Sequence, residues 1–166
     1  TTVDFGDAVR KGLSGLEKEI SMRKRKESDP EKCRFLDALS GVIDAIRIWI
    51  KRYVSEYRSR LESETEPEHA AVYRSILSNL ERVPENPPET FAQAVQSFWS
   101  FFEFQRLCGN WSGLGRFDWI LGGYLERDLE HGVITLDEAR ELVAHFWIKG
   151  TEWCYGLRGG SPFRPG

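Results

Sequence analysis

The sequence predicts an all-α fold, about six helices in an irregular bundle. Three observations carry this reading. Apolar residues recur at spacings of three and four along most of the chain, which is the period of one helix face. Residues that start or stop helices bound each such stretch. No stretch alternates apolar and polar residues as a half-buried strand does.

A chain of 166 residues suits a single helical domain over 1–166 and can bury roughly two-thirds of its unfolded surface. Hydrophobic residues make up 40% and charged residues 30%, with ten Phe, six Trp and five Tyr. That composition excludes a disordered tail or a fibrous repeat.

The first helix is expected over 5–27, capped by Asp4, with Val9, Leu13, Leu16 and Ile20 on one face and Gly12 and Gly15 weakening it. Asp29-Pro30-Glu31 opens the second, 30–63. Its stripe runs from Phe35 and Leu36 through Ile43, Ile46 and Ile50 to Leu61, on the order of 45 Å at 1.5 Å per residue. Thr65 and Glu68 have capping-box spacing before the third, 66–82, which carries Tyr73, Ile76, Leu77 and Leu80. Pro84, Pro87 and Pro88 then impose an extended link.

Thr90 caps the fourth and most apolar helix, 89–107, which holds Phe91, Ala94, Val95, Phe98, Trp99, Phe101, Phe102 and Phe104. Apolar on nearly all sides, it is expected at the centre. The fifth, 116–131, carries Phe117, Ile120, Leu121, Tyr124 and Leu125 and stops at Gly132. A second capping box, Thr135 to Glu138, opens the sixth, 136–153.

Basic and acidic residues, 23 and 26, are interspersed, so nothing marks a nucleic-acid or lipid partner. The run Arg23-Lys24-Arg25-Lys26 suits a helix C-terminus. Cys33, Cys108 and Cys154 form neither a disulfide framework nor a zinc motif, which fits a reducing cytoplasm. No apolar run approaches the ~20 residues a membrane span needs. His145 stands four residues after Glu141, a spacing open to metal, but the companion ligands of a bundle metal site are missing; a partly buried His145 paired with Glu141 is the simpler reading, and no metal is expected.

The distinctive stretch is Gly109-Asn110-Trp111-Ser112-Gly113-Leu114-Gly115-Arg116-Phe117-Asp118. It reads as a sharp turn capped by Ser112, with Arg116 tying loop carbonyls and Asp118 in a helical first turn. Without a preceding strand and a Gly-Lys-Ser/Thr it is no phosphate loop. Gly109, Gly113 and Gly115 exceed what a turn needs, which points to close approach by backbone or ligand.

Three segments carry a family resemblance: Arg82-Val83-Pro84-Glu85-Asn86-Pro87-Pro88-Glu89-Thr90-Phe91-Ala92-Gln93-Ala94-Val95-Gln96-Ser97-Phe98-Trp99, then Gly115-Arg116-Phe117-Asp118, then Tyr124-Leu125-Glu126-Arg127-Asp128-Leu129. They resemble the N-terminal half of glycyl radical enzymes, the pyruvate formate-lyase-like proteins. The opening Thr1-Thr2-Val3-Asp4-Phe5 and the stretch Ile134 to Lys149 are similar too.

The resemblance implies a polypeptide several times longer, built on an α/β barrel against which these helices pack. In that family an S-adenosylmethionine-dependent activating enzyme installs a glycyl radical on a C-terminal loop. The radical passes to a cysteine at the barrel centre, and the thiyl takes hydrogen from substrate to start C–C, C–O, C–N or C–S cleavage, or in some members an addition. Neither the Arg-Val-x-Gly-Tyr radical motif nor a sequence like the barrel cysteine loop occurs here. The expectation is therefore a helical portion of an anaerobic radical lyase or dehydratase, truncated at both ends, without catalysis or cofactor of its own. Its partners would be the barrel and radical loop, with the activating enzyme acting on the parent. A stand-alone helical scaffold or partner-binding domain, and one subunit of a split enzyme, are the alternatives. Faces of the fourth helix that meet the barrel are expected to stand exposed and to promote self-association.

By the same resemblance the turn lines the substrate cavity, with Asn110, Trp111 and Ser112 as pocket candidates and Gly109, Gly113, Gly115, Arg116 and Asp118 as its framework. In diol-cleaving members the motif is similar to Gly-His-Ser-Val-Ser-Phe-Gly-Arg. Counting back from Gly115-Arg116, Asn110 replaces the His and Trp111 the first Ser. An amide and an indole in place of two hydroxyl-binding groups disfavour a glycerol-like or choline-like substrate.

Overall fold

The computed structural model describes residues 3–110 and 112–152. They form α1 (Phe5–Lys24), α2 (Pro30–Ser63), α3 (Pro67–Arg82), α4 (Phe91–Leu107), α5 (Phe117–Glu130) and α6 (Leu136–Glu152). No strand is present among the described residues.

The fourth helix is the axis of the bundle, with α1, α3, α5 and α6 all packed on it, while α2 lies against α1 and α3. Its Phe98 ring has no solvent exposure. Around that ring stand Phe5 at 4.9 Å, Phe117 at 5.2 Å and Phe146 at 5.7 Å between centroids. Rings from α1, α5 and α6 thus meet on one α4 residue, in the tilted and edge-on geometries that aromatic quadrupoles favour.

Because α4 is surrounded, the expectation that it leaves an open face does not hold. Even its Ser97 and Ser100 are buried, and Leu107 at its end is the one exposed large apolar side chain on it. Exposed apolar side chains sit elsewhere: Phe35, Val42 and Ile48 on α2, Trp119 on α5, Trp147 and Ile148 on α6.

Helix ends show where local sequence is sufficient. Asp4 caps α1 by accepting from the Asp7 N–H at 3.0 Å. The Thr135 hydroxyl accepts from the Glu138 N–H at 3.2 Å while Glu138 accepts from the Thr135 N–H at 2.8 Å, a complete capping box. At Gly132, φ is 64°, the left-handed value expected past a helix end.

The box expected at Thr65 and Glu68 does not form. Glu64 reaches forward to accept from the Thr65 and Glu66 N–H groups at 2.9 and 3.0 Å, and Pro67 removes one of the orphan donors. Helix α4 is capped twice over. Thr90 accepts from the Gln93 N–H at 3.2 Å, and buried Asp128 of α5 accepts from the Phe91 N–H at 2.6 Å.

Gly12 does more than weaken α1. Its φ of 65° and ψ of 176° break the helix so that the 84–86 link can dock against it. The Leu13 N–H donates to the Pro84 carbonyl at 2.8 Å and the Ser14 N–H to the Glu85 carbonyl at 2.9 Å. A side chain at Gly12 would put its Cβ 2.7 Å from the Glu85 carbonyl oxygen. Arg47 of α2 secures the same link, donating from Nε and Nη2 to Glu85 at 2.8 Å each and from Nη2 to Glu17 at 2.7 Å. Hydrogen bonds to Glu85 and then Glu17 hold its guanidinium protonated well above the usual range.

Candidate functional site

The turn between α4 and α5 starts as a helix stop. Gly109, at φ 83°, donates its N–H to the Arg106 carbonyl at 2.9 Å, and the Asn110 N–H reaches back to the Gln105 carbonyl at 3.1 Å. That pair of bonds around a left-handed residue is a Schellman motif, and it accounts for a glycine at 109. The Ser112 hydroxyl then donates to the Gln105 side-chain oxygen at 2.6 Å. Gln105 therefore holds the turn twice, with main chain at Asn110 and side chain at Ser112. Ser112 caps no helix, contrary to expectation, because Arg116 occupies the N-cap position of α5 without a side-chain cap.

Further along, Gly113 has open space above it and Gly115 takes φ 69°. Arg116 does not tie loop carbonyls. Its Nε and Nη2 donate to the two carboxylate oxygens of Asp118 at 2.9 and 2.8 Å, a fork-to-fork pair on an exposed surface. The guanidinium is the main reason the Asp118 carboxyl is lowered to about 2. Proximity decides this: only Phe117 stands between the two groups in the chain.

Asn110 is exposed, while Ser112 is half-buried. Since Ser112 gives its proton to Gln105, it offers a neighbour only acceptor lone pairs. Trp111 lies outside the described residues, as do Trp153 and Cys154. Sequence reasoning missed Gln105. A glycine four residues later, in the position of a left-handed helix stop, is the signal that could have found it.

The remaining candidates disperse. Cys108 is exposed at the end of α4, and Cys33 is half-buried with its thiol 3.7 Å from the Glu27 carbonyl. His145 and Glu141 are both exposed on α6, so the expected burial of His145 is not found. They point away from the side on which Ala139 and Phe146 meet the core. No group of His, Cys, Asp or Glu able to hold a metal exists among the described residues, and no described helix is long and apolar enough to cross a membrane. An open groove of about 330 Å³ lies beside the turn rather than in it, between the start of α1 and α5, bordered by Asp4, Asp7, Arg10, Trp119, Ile120 and Tyr124.

Among the described residues the turn is fastened at one end, through Gln105. The pyruvate formate lyase-like family model matches residues 1–156, nearly the whole chain. The chain belongs to that family. Family members are glycyl radical enzymes, which use a protein glycyl radical installed by an activating enzyme.

Isethionate sulfite-lyase of Nitratidesulfovibrio vulgaris is 32% identical over 87% of this chain, which spans 19% of that protein. Trans-4-hydroxy-L-proline dehydratase of Clostridioides difficile is 32% identical over 87% of this chain and 20% of its own length. Among solved structures, the Roseburia inulinivorans enzyme of 1,2-propanediol dehydration superposes with a TM-score of 0.84 at 28% identity, covering 90% of this chain and 20% of that one. The chain thus spans about a fifth of the length of the relatives it matches.

Proposed function

We propose that this chain is the N-terminal helical layer of a cytoplasmic, anaerobic glycyl radical lyase or dehydratase, and that it has no turnover of its own. The observation that carries the reading is the family match over residues 1–156 combined with relatives of which the chain makes up a fifth. The rest of the enzyme supplies the barrel, its cysteine and the radical loop, and an S-adenosylmethionine-dependent activating enzyme installs the radical.

In this reading the α4–α5 turn lines the substrate cavity. Asn110 and Trp111 select the substrate, Ser112 presents an acceptor, and Gly109, Gly113, Gly115, Arg116 and Asp118 form the framework. Gln105 fixes where the amide and hydroxyl stand, since it bonds to both ends of that segment. The substrate differs from glycerol and choline in being larger, flatter or less hydroxylated.

The test is anaerobic activation of the full-length protein with its activating enzyme and S-adenosylmethionine. A glycyl-radical doublet by electron paramagnetic resonance, absent from the 166-residue chain treated alike, is the expected result. Isethionate and trans-4-hydroxy-L-proline are the first substrates to offer, being those of the named relatives. No radical in the full-length protein, or turnover by the 166 residues alone, would refute the reading.

A further inference from the structure

We propose that Gln105 decides, through Ser112, which substrate groups the α4–α5 turn accepts. The group read at Ser112 donates a hydrogen bond, as a hydroxyl or an ammonium does, and a group that can only accept is rejected. This role rests on the proposed place of the turn in the substrate cavity.

A serine hydroxyl has one proton and two lone pairs. In Ser112 the proton is committed: Oγ donates to the Gln105 side-chain oxygen at 2.6 Å, at the short end of the range for such bonds. That oxygen can only accept, so the bond fixes the direction of the proton and leaves the Oγ lone pairs to whatever stands beside Ser112. Both side chains are half-buried, where water competes for the bond less well than at an open surface. An approaching carbonyl or ether oxygen would set lone pairs against lone pairs. To bind it, Ser112 would have to release Gln105 and strand the amide oxygen.

Stopping the helix does not by itself call for this bond. The Gly109 and Asn110 N–H groups close α4 on the Arg106 and Gln105 carbonyls, and any residue at 105 would supply that main-chain carbonyl. What the side chain adds is a fixed direction for the Ser112 proton. Gln105 stands in the last turn of α4, the helix on which α1, α3, α5 and α6 pack. The acceptor is therefore placed by the central element of the bundle rather than by the loop whose hydroxyl it orients.

The experiment is crystallography of the radical-free full-length protein, soaked separately in ethanol, which can donate, and acetone, which cannot. The ethanol oxygen is expected within about 3.2 Å of Ser112 Oγ, with an occupancy about tenfold that of acetone at matched low concentration. Gln105→Leu frees the proton, so acetone should then reach Ser112 Oγ and the preference should fall to within about twofold. Gln105→Met serves if that variant does not fold. Gln105→Glu keeps an acceptor and should keep the preference, whereas a residue that merely braced the turn would affect both probes alike. Acetone on Ser112 Oγ in the parent protein, ethanol absent from it, or a preference unmoved by removing the acceptor would overturn the proposal. A full-length structure in which Ser112 faces no cavity would defeat the placement of the turn, and the role with it. A cavity at Ser112 that holds both probes equally would defeat the role of Gln105 alone.

Discussion

Replacing Gly12 by Ala tests whether the break in α1 is the hinge on which the bundle closes. At φ 65° and ψ 176° the residue occupies a region nearly confined to glycine, and a side chain there costs about 1–3 kcal/mol. The new Cβ would also stand 2.7 Å from the Glu85 carbonyl oxygen and from the Asn86 carbonyl carbon, both main-chain atoms that cannot rotate away. Moving the link aside weakens the bonds from Leu13 to Pro84 and from Ser14 to Glu85, each worth about 1 kcal/mol. The sum is about 3–5 kcal/mol, a large fraction of the 5–15 kcal/mol that typically holds a domain. Urea unfolding followed by far-ultraviolet circular dichroism measures it, and the melting temperature should fall by roughly 10 °C. Gly41→Ala is the internal control. Gly41 sits mid-helix in α2 with nothing within 4 Å of an added Cβ, so the same exchange should stabilise by about 1 kcal/mol. Opposite signs are expected from one chemical change. A Gly12→Ala variant within about 0.5 kcal/mol of the parent would refute the argument.

Two further predictions follow from single side chains. Asp128→Ala strands the buried Phe91 N–H and should cost about 2–3 kcal/mol in urea unfolding, whereas Asp128→Asn keeps an acceptor and should cost about half as much. A carbon-detected NMR titration should find the Asp118 carboxyl at about 2, returning toward its ordinary 3.8 in Arg116→Gln. Because the folded value is depressed, whatever stability the pair adds is present above pH 3.8 and disappears as pH falls toward about 2. Both groups are exposed, so added salt should shrink the shift.

Much of this protein is legible because its helices are punctuated locally. Pro30 after Asp29, the Thr135–Glu138 box and Gly132 act within one turn of chain, and each works in the structure as its residue type dictates. The density of Phe in 91–104 likewise identifies the central helix before any packing is known, since a segment apolar on all sides must be covered on all sides. Thr65 misleads because a nearby carboxylate, Glu64, competes for the same N–H groups, and residue type alone cannot rank two acceptors.

The site is less legible than the fold. Gly109 announces a turn, but that Gln105 fastens it depends on a side chain folding back across seven residues to Ser112. Arg116 has many possible acceptors in sequence, and among the described residues it bonds to Asp118.

By itself, then, the sequence determined the helices, the central place of the fourth and the family, because these follow from periodicity, local capping and motif residues contiguous in the chain. Tertiary structure alone decided the rest: that Gly12 breaks α1 to admit the 84–86 link, that Asp128 caps a helix 37 residues away, that Gln105 anchors the turn, and that Trp119 rather than α4 faces outward. Each depends on which atoms meet across the bundle. Such meetings are fixed by packing many elements at once and leave no periodic trace in the chain.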